Sequence, residues 1–232
     1  MGVSVPPGGE GYALDVEELG VAVGESVVTA SVHGEGDVAI VLGHGAGGSR
    51  RTPFLLRVAE ALAASGRRAI LYDFPYVAAR RRIPDPPAIL EATTRAVGER
   101  VRDAFGARRV VHGGKSMGGR IASQAVAKGL AADALVFLGY PLHPPGRPET
   151  LRDQHLPAVA APMLFLQGTR DAFARWDLIE GVTSRLGAKA TLHRVEDADH
   201  SFAVPKRTGR KPADVEAELH RAMAEWLAAR GL

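Results

Sequence analysis

Two hydrophobic periods alternate along this chain, and that alternation limits what it can fold into more than any other feature. Short β-branched or apolar runs occur at residues 26–33 (SVVTASVH), 38–42 (VAIVL), 68–74 (RAILYDF), 108–114 (RRVVHGG), 134–140 (ALVFLGY), 163–167 (MLFLQ) and 189–195 (KATLHRV). Between them the apolar residues fall at helical spacing. Phe54, Leu55, Val58 and Leu62 share a face with Gly66 beyond them, and helices are expected at 88–105, from Met117 and at 173–187. A closing helix places Val215, Leu219, Met223, Trp226 and Leu227 on one side. Continuously apolar runs suit strands buried on both faces, and intervening helices of about 10 to 15 residues are the crossovers that parallel strands need. The expectation is an α/β fold, a mostly parallel sheet with helices on both faces and with function at the carboxyl ends of the strands. No repeat, low-complexity tract or long linker interrupts the pattern. Residues 11–232 are therefore expected to form one domain, after a loose Pro- and Gly-rich start at residues 1–10.

Composition removes several classes of function. The chain has no cysteine, which excludes a disulfide framework, a thiolate nucleophile and Cys-based zinc or iron–sulfur sites, and no metal is expected. The net charge of +3 is spread along the chain with no basic stripe interleaved with aromatics, so no nucleic-acid partner is expected. No run approaches the roughly 20 apolar residues of a membrane span. The first residues, MGVSVPPGGEGY, lack the basic start and apolar core of a secretory signal, and Pro6 stands where myristoylation wants Ser or Thr. No membrane association and a cytoplasmic location are the expectation.

Three Gly-rich signals lie at strand ends. Gly43, Gly45 and Gly48 fit G-x-G-x-x-G, with Asp73 closing the next strand, which taken alone is a dinucleotide-binding pattern. Two strand-like runs precede it, His44 sits inside the turn and Asp73 lies far downstream, all of which weigh against that reading. Gly114-Lys115-Ser116 looks like the end of a phosphate-binding loop, but the position that must be Gly is Arg109, inside a strand, so that reading fails. The third signal, Gly114-Lys115-Ser116-Met117-Gly118, is G-x-S-x-G between a strand and a helix. Flanking glycines there permit a sharp, strained turn that presents the serine hydroxyl above the sheet. A helix N-cap is the plainer role for such a serine.

A nucleophilic serine needs a base, and the base an orienting acid. Asp171 follows the strand MLFLQ, and His200 follows the last strand in DADHSF, so both emerge at the same edge as Ser116. Of the other histidines, His33 and His193 lie in strand-like runs, His112 precedes the elbow, His220 is on a helix and His44 is too near the first Gly cluster. His143 and His155, in loop-like segments, stay open as alternatives, as do Asp197 and Asp199 for the acid. Acyl transfer creates an oxyanion, and backbone N–H groups aimed at it supply much of the rate enhancement. Met117, after the nucleophile, and Ala46, in GHGAGG, are the expected donors, which lets both Gly clusters serve one reaction.

Taken in order, VLGHGAGG, YDFPY, GGKSMGGR, LFLQGTRD and DADHSF run through most of residues 38–202 and resemble the α/β-hydrolase superfamily, in particular its small dienelactone-hydrolase-like group. The resemblance implies an α/β-hydrolase fold with about eight mostly parallel strands, a Ser-Asp-His triad, no cofactor and hydrolysis of an ester or related acyl bond. True dienelactone hydrolases carry a Cys nucleophile where this chain has Ser116, and GGKSMGGR is similar to a branch related to a subunit of a histone acetyltransferase complex. Only about 20 residues, Pro141 to Ala160, are available for a cap, so an open site with a minimal cap or none is expected. Gly45, Tyr76, Tyr140, Leu142 and His143 are the candidates for substrate binding. Arg80, Arg81 and Arg82 are either a solvated charge run or an attraction for an anionic substrate. The function expected is a carboxylesterase-like serine hydrolase acting on a small-molecule acyl substrate, an ester or thioester. The alternative is a hydrolase-fold protein that works as a non-catalytic binding subunit.

Overall fold

The computed structural model describes residues 17–232. The loose start expected at residues 1–10 lies outside the described residues. Eight strands form one sheet: β1 (Glu17–Val23), β2 (Ser26–His33), β3 (Val38–Gly43), β4 (Arg68–Tyr72), β5 (Arg109–Lys115), β6 (Ala134–Leu138), β7 (Met163–Gly168) and β8 (Ala190–Val195). Their order across the sheet is β1-β2-β4-β3-β5-β6-β7-β8, and the pairs β1–β2 and β2–β4 are antiparallel while the remaining five are parallel. Among the described residues the six α-helices are α1 (Pro53–Ala64), α2 (Pro75–Ala78), α3 (Pro87–Phe105), α4 (Met117–Ala127), α5 (Trp176–Leu186) and α6 (Pro212–Ala228).

The strand period of two sorts the core into layers. Ile40 and Leu42 of β3, Val136 and Leu138 of β6, and Leu164 and Leu166 of β7 face α1 and α6, which supply Leu55, Leu62, Leu219 and Met223. Their neighbours point the other way. Ala39 and Val41 meet Val97 and Val101 of α3 and Ile121 of α4, while Phe137 and Phe165 meet Ile179 and Val182 of α5. Both faces of the central strands are thus covered, which is why those runs read as apolar throughout.

Two elements depart from the sequence reading. The edge strand β1, absent from it, pairs with β2 through a two-residue turn at Gly24 and Glu25. Helix α5 starts at Trp176 rather than near 173, because the Asp171 side chain accepts the Phe173 N–H (2.7 Å) and the Asp171 carbonyl accepts the Ala174 N–H (3.2 Å), closing a turn before the helix. Between β6 and β7 the chain forms no cap helix. It makes one short 3₁₀ turn, Leu156–Ala158, and lies down on the core, burying Leu142, Leu156 and Val159. Among the described residues no helix is long and apolar enough to cross a membrane.

Candidate active site

The ends of β3 and β5 meet through backbone alone. A Cβ on Gly114 would lie 2.1 Å from the Gly43 carbonyl oxygen, and one on Gly118 would lie 2.2 Å from the same atom. Gly114 also has φ +147, open to glycine and strained for other residues. This contact draws the loop after β3 against the turn after β5, and a Cβ on Gly45 would sit 3.6 Å from the Ser116 Cβ. Ser116 itself has φ +51 and ψ −115, the strained geometry of a sharp strand-to-helix turn, and its N–H donates to the Leu138 carbonyl (3.2 Å). Its side chain makes no cap bond to α4, so the plain N-cap role is set aside.

The structure brings Ser116, His200 and Asp171 into one chain of hydrogen bonds. The Ser116 hydroxyl donates to His200 Nε2 (2.8 Å), and His200 Nδ1–H donates to Asp171 Oδ2 (2.7 Å). The carboxylate can only accept, so the proton belongs on Nδ1 and leaves Nε2 free to take the serine proton. Asp171 is buried and its lone pairs are occupied on both oxygens, by Gln167 Nε2–H on Oδ2 (2.6 Å) and Phe173 N–H on Oδ1 (2.7 Å). Asp197 and Asp199 do not compete for this ring. Asp199 Oδ1 is engaged by the N–H groups of Ser201 (2.8 Å) and Ala203 (3.0 Å), and Asp197 pairs with Arg207 (2.9 Å).

Opposite the imidazole lies the loop of residues 43–50. Its His44 is buried, donates from Nδ1 to the Gly45 carbonyl (2.8 Å) and accepts the Phe74 N–H on Nε2 (3.3 Å). Burial holds the His44 imidazole below its usual range, so it stays neutral and serves as a brace. Asp73, the acid of the dinucleotide pattern, is spent on this loop, accepting the Arg50 N–H (2.7 Å) and pairing with Arg50 Nε (3.2 Å). Ala46 is exposed at the tip, and Met117 opens α4, where the first N–H groups have no intrahelical acceptor.

The expected binding residues divide. Gly45 stands beside Ser116, and Tyr76 lines a groove of about 660 Å³ with Gly47, Gly48, Arg51 and Arg80 to Arg82. Arg81 is paired with Asp85 (2.5 Å), whereas Arg80 and Arg82 are exposed with no carboxylate partner among the described residues. Tyr140, Leu142 and His143 do not line the site. Tyr140 and Leu142 are fully buried in the core, and the Tyr140 hydroxyl donates to the Arg152 carbonyl (2.7 Å). His143 is a brace, donating from Nδ1 to the Pro144 carbonyl (2.8 Å) and accepting the Arg175 N–H on Nε2 (2.9 Å). The reason is the missing cap: with nothing above it, the segment after β6 covers its own apolar residues by packing inward. His155, the other alternative base, accepts or donates at 2.7 Å with the buried Ser123 and is remote from this chain of bonds in its partners.

Three further contributors show little of their role in sequence. Gln167 bridges the Asp171 carboxylate and the Tyr140 N–H (2.8 Å), the Phe173 ring lies 4.3 Å from the imidazole centroid, and Lys115 reaches the backbone of His200. The legible signal for Gln167 was a polar residue ending an otherwise apolar strand. Phe173 carried none. Among the described residues, no group of three or more His, Cys, Asp or Glu side chains is placed to hold a metal ion.

Residues 36–228 match the model of a family described as the alpha/beta hydrolase domain. Solved structures share the fold. A serine hydrolase without a lid from Xanthomonas campestris is 21% identical, with a TM-score of 0.73 over 93% of this chain and 96% of that one. A dienelactone hydrolase from Anabaena variabilis is 21% identical, with a TM-score of 0.70 over 93% and 97%. A serine hydrolase homologue from Coxiella burnetii is 16% identical, with a TM-score of 0.74 over 94% and 100%.

Proposed function

This chain belongs to the α/β hydrolase family, and from that premise we propose that it is a serine hydrolase cleaving small carboxylic esters or thioesters through an acyl-enzyme. The observation that carries the reading is the unbroken chain from Ser116 Oγ through His200 to the buried Asp171. Ser116 Oγ attacks the acyl carbonyl carbon as His200 Nε2 takes its proton, and Asp171 stabilises the imidazolium so formed. The tetrahedral oxyanion is held by the N–H groups of Ala46 and Met117, the latter at the positive end of α4. The imidazolium then protonates the departing alcohol or thiol, the carbonyl re-forms and Ser116 carries the acyl group. A water molecule, deprotonated by Nε2, attacks that ester, and Ser116 leaves with the proton the imidazolium returns to it. The groove beside Gly47 and Tyr76 offers room for one arm of the substrate, without a cap to limit its length.

The test is hydrolysis of p-nitrophenyl acetate and an acetyl thioester by the wild-type protein and by Ser116→Ala. Turnover that disappears in the variant, with an unchanged thermal melt, is the expected result. Turnover retained by Ser116→Ala would remove the serine from the chemistry.

A further inference from the structure

The side chain that precedes the nucleophile makes a contact that the triad does not require. Lys115 ends β5, and its Nζ donates to the backbone carbonyl of His200 (2.5 Å). It reaches there across the end of β6, where a Cβ on Gly139 would sit 3.0 Å from the ammonium. The centroid of the Phe202 ring lies 5.4 Å from Nζ. Consecutive residues therefore hold His200 at two points, Ser116 through the ring and Lys115 through the main chain. His200 belongs to an irregular segment after β8, and no backbone N–H among the described residues donates to its carbonyl. Among the described residues Lys115 has no carboxylate within ion-pair distance, although Asp171 and Asp199 attract it from further away. Desolvating an ammonium for one carbonyl is a poor exchange for stability alone.

We infer that Lys115 is a positioning residue, whose charged amine ties the loop bearing the general base to the nucleophile elbow and sets the register of imidazole and hydroxyl. The inference rests on the proposed triad. Burial pushes the Lys115 amine down to about 8, against the pull of Asp171 and Asp199, the charged groups that face it alongside His200. Protonated below that pH, the amine makes a charge-assisted bond; as pH rises through it, the charge is lost and the tie weakens. Activity is therefore expected to fall on the alkaline side.

The experiment is kcat and KM for p-nitrophenyl acetate between about pH 6.5 and about pH 9.5, for wild type, Lys115→Met, Lys115→Arg and Ser116→Ala. Lys115→Met, without a donor, is expected to lose between about tenfold and a hundredfold in kcat at neutral pH, with KM nearly unchanged and the alkaline limb gone. Lys115→Arg keeps its charge throughout this range, so it is expected to recover most of kcat and to lack the limb as well. A wild-type kcat or an unchanged limb in Lys115→Met would overturn the positioning role. Should Lys115→Met melt early, an alkaline limb retained by Lys115→Arg, or a flat wild-type profile, would overturn it equally. Hydrolysis by Ser116→Ala would instead strike at the triad itself, which keeps the two failures apart.

Discussion

The two halves of the site are made of different material. On the side of β3 and β5, Gly43, Gly114 and Gly118 touch backbone to backbone, and the two amides assigned to the oxyanion are main-chain groups on either side of that seam. On the side of β7 and β8, Gln167, Asp171, Phe173 and His200 meet through side chains, in a run of hydrogen bonds and one ring contact. The seam of Gly43, Gly114 and Gly118 has no room for an added methyl group, and the second half cannot spare a donor or acceptor. Damage to the seam should therefore appear as lost stability, and damage to the side-chain network as lost activity.

Asp171→Asn should separate the halves most sharply. The shape is kept, but the amide either presents a donor to Nδ1 or leaves the imidazolium without its counter-charge. A loss of about a thousandfold or more in kcat for p-nitrophenyl acetate is expected, with about 1 kcal/mol lost in urea unfolding because the Asn NH2 must face one of the N–H groups that Asp171 accepts. Gly118→Ala is the converse. Its methyl would collide with the Gly43 carbonyl, and backbone on both sides of the contact must shift, for an expected loss of about 3 kcal/mol or more in urea unfolding. Comparable losses of stability from Asp171→Asn and Gly118→Ala would break the distinction.

Gln167→Leu tests the border between the halves, since it removes a donor from Asp171 and an acceptor from the Tyr140 N–H. An unpaired buried N–H points to a loss of about 2 kcal/mol, and a less restrained carboxylate to about a tenfold drop in kcat. Phe173→Ala should do least. Removing a partly exposed ring from the face of the imidazole is expected to cost about 1 kcal/mol, and looser placement of His200 about threefold in kcat.

The central strands and the elements that carry Ser116, Asp171 and His200 were legible because burial on both faces leaves an apolar run and a strained turn demands glycine. β1 was not legible. It lies at the sheet edge, starts with the exposed Glu17 and Glu18, contains Gly20 and buries only Leu19 and Val21, which leaves a short and weak alternation. Tyr140 and Leu142 misled because a strand-end position above the sheet suggests a pocket wall, whereas the fate of the following segment depends on whether a cap covers it. Phe173 could not be found from pattern, since its place against His200 depends on the turn closed by the Asp171 side chain. Lys115 was visible as a residue of the elbow, but its partner is 85 positions away and is a backbone carbonyl, which leaves no mark in sequence.

The central claim, that Ser116 is activated by His200, is tested most directly by fluorophosphonate labelling of the folded protein read by intact mass, because this reports an activated serine without a known substrate. One adduct on the wild type, absent from Ser116→Ala and from His200→Ala, is the result expected. An adduct that persists in Ser116→Ala, or none on well-folded wild-type protein, would contradict it.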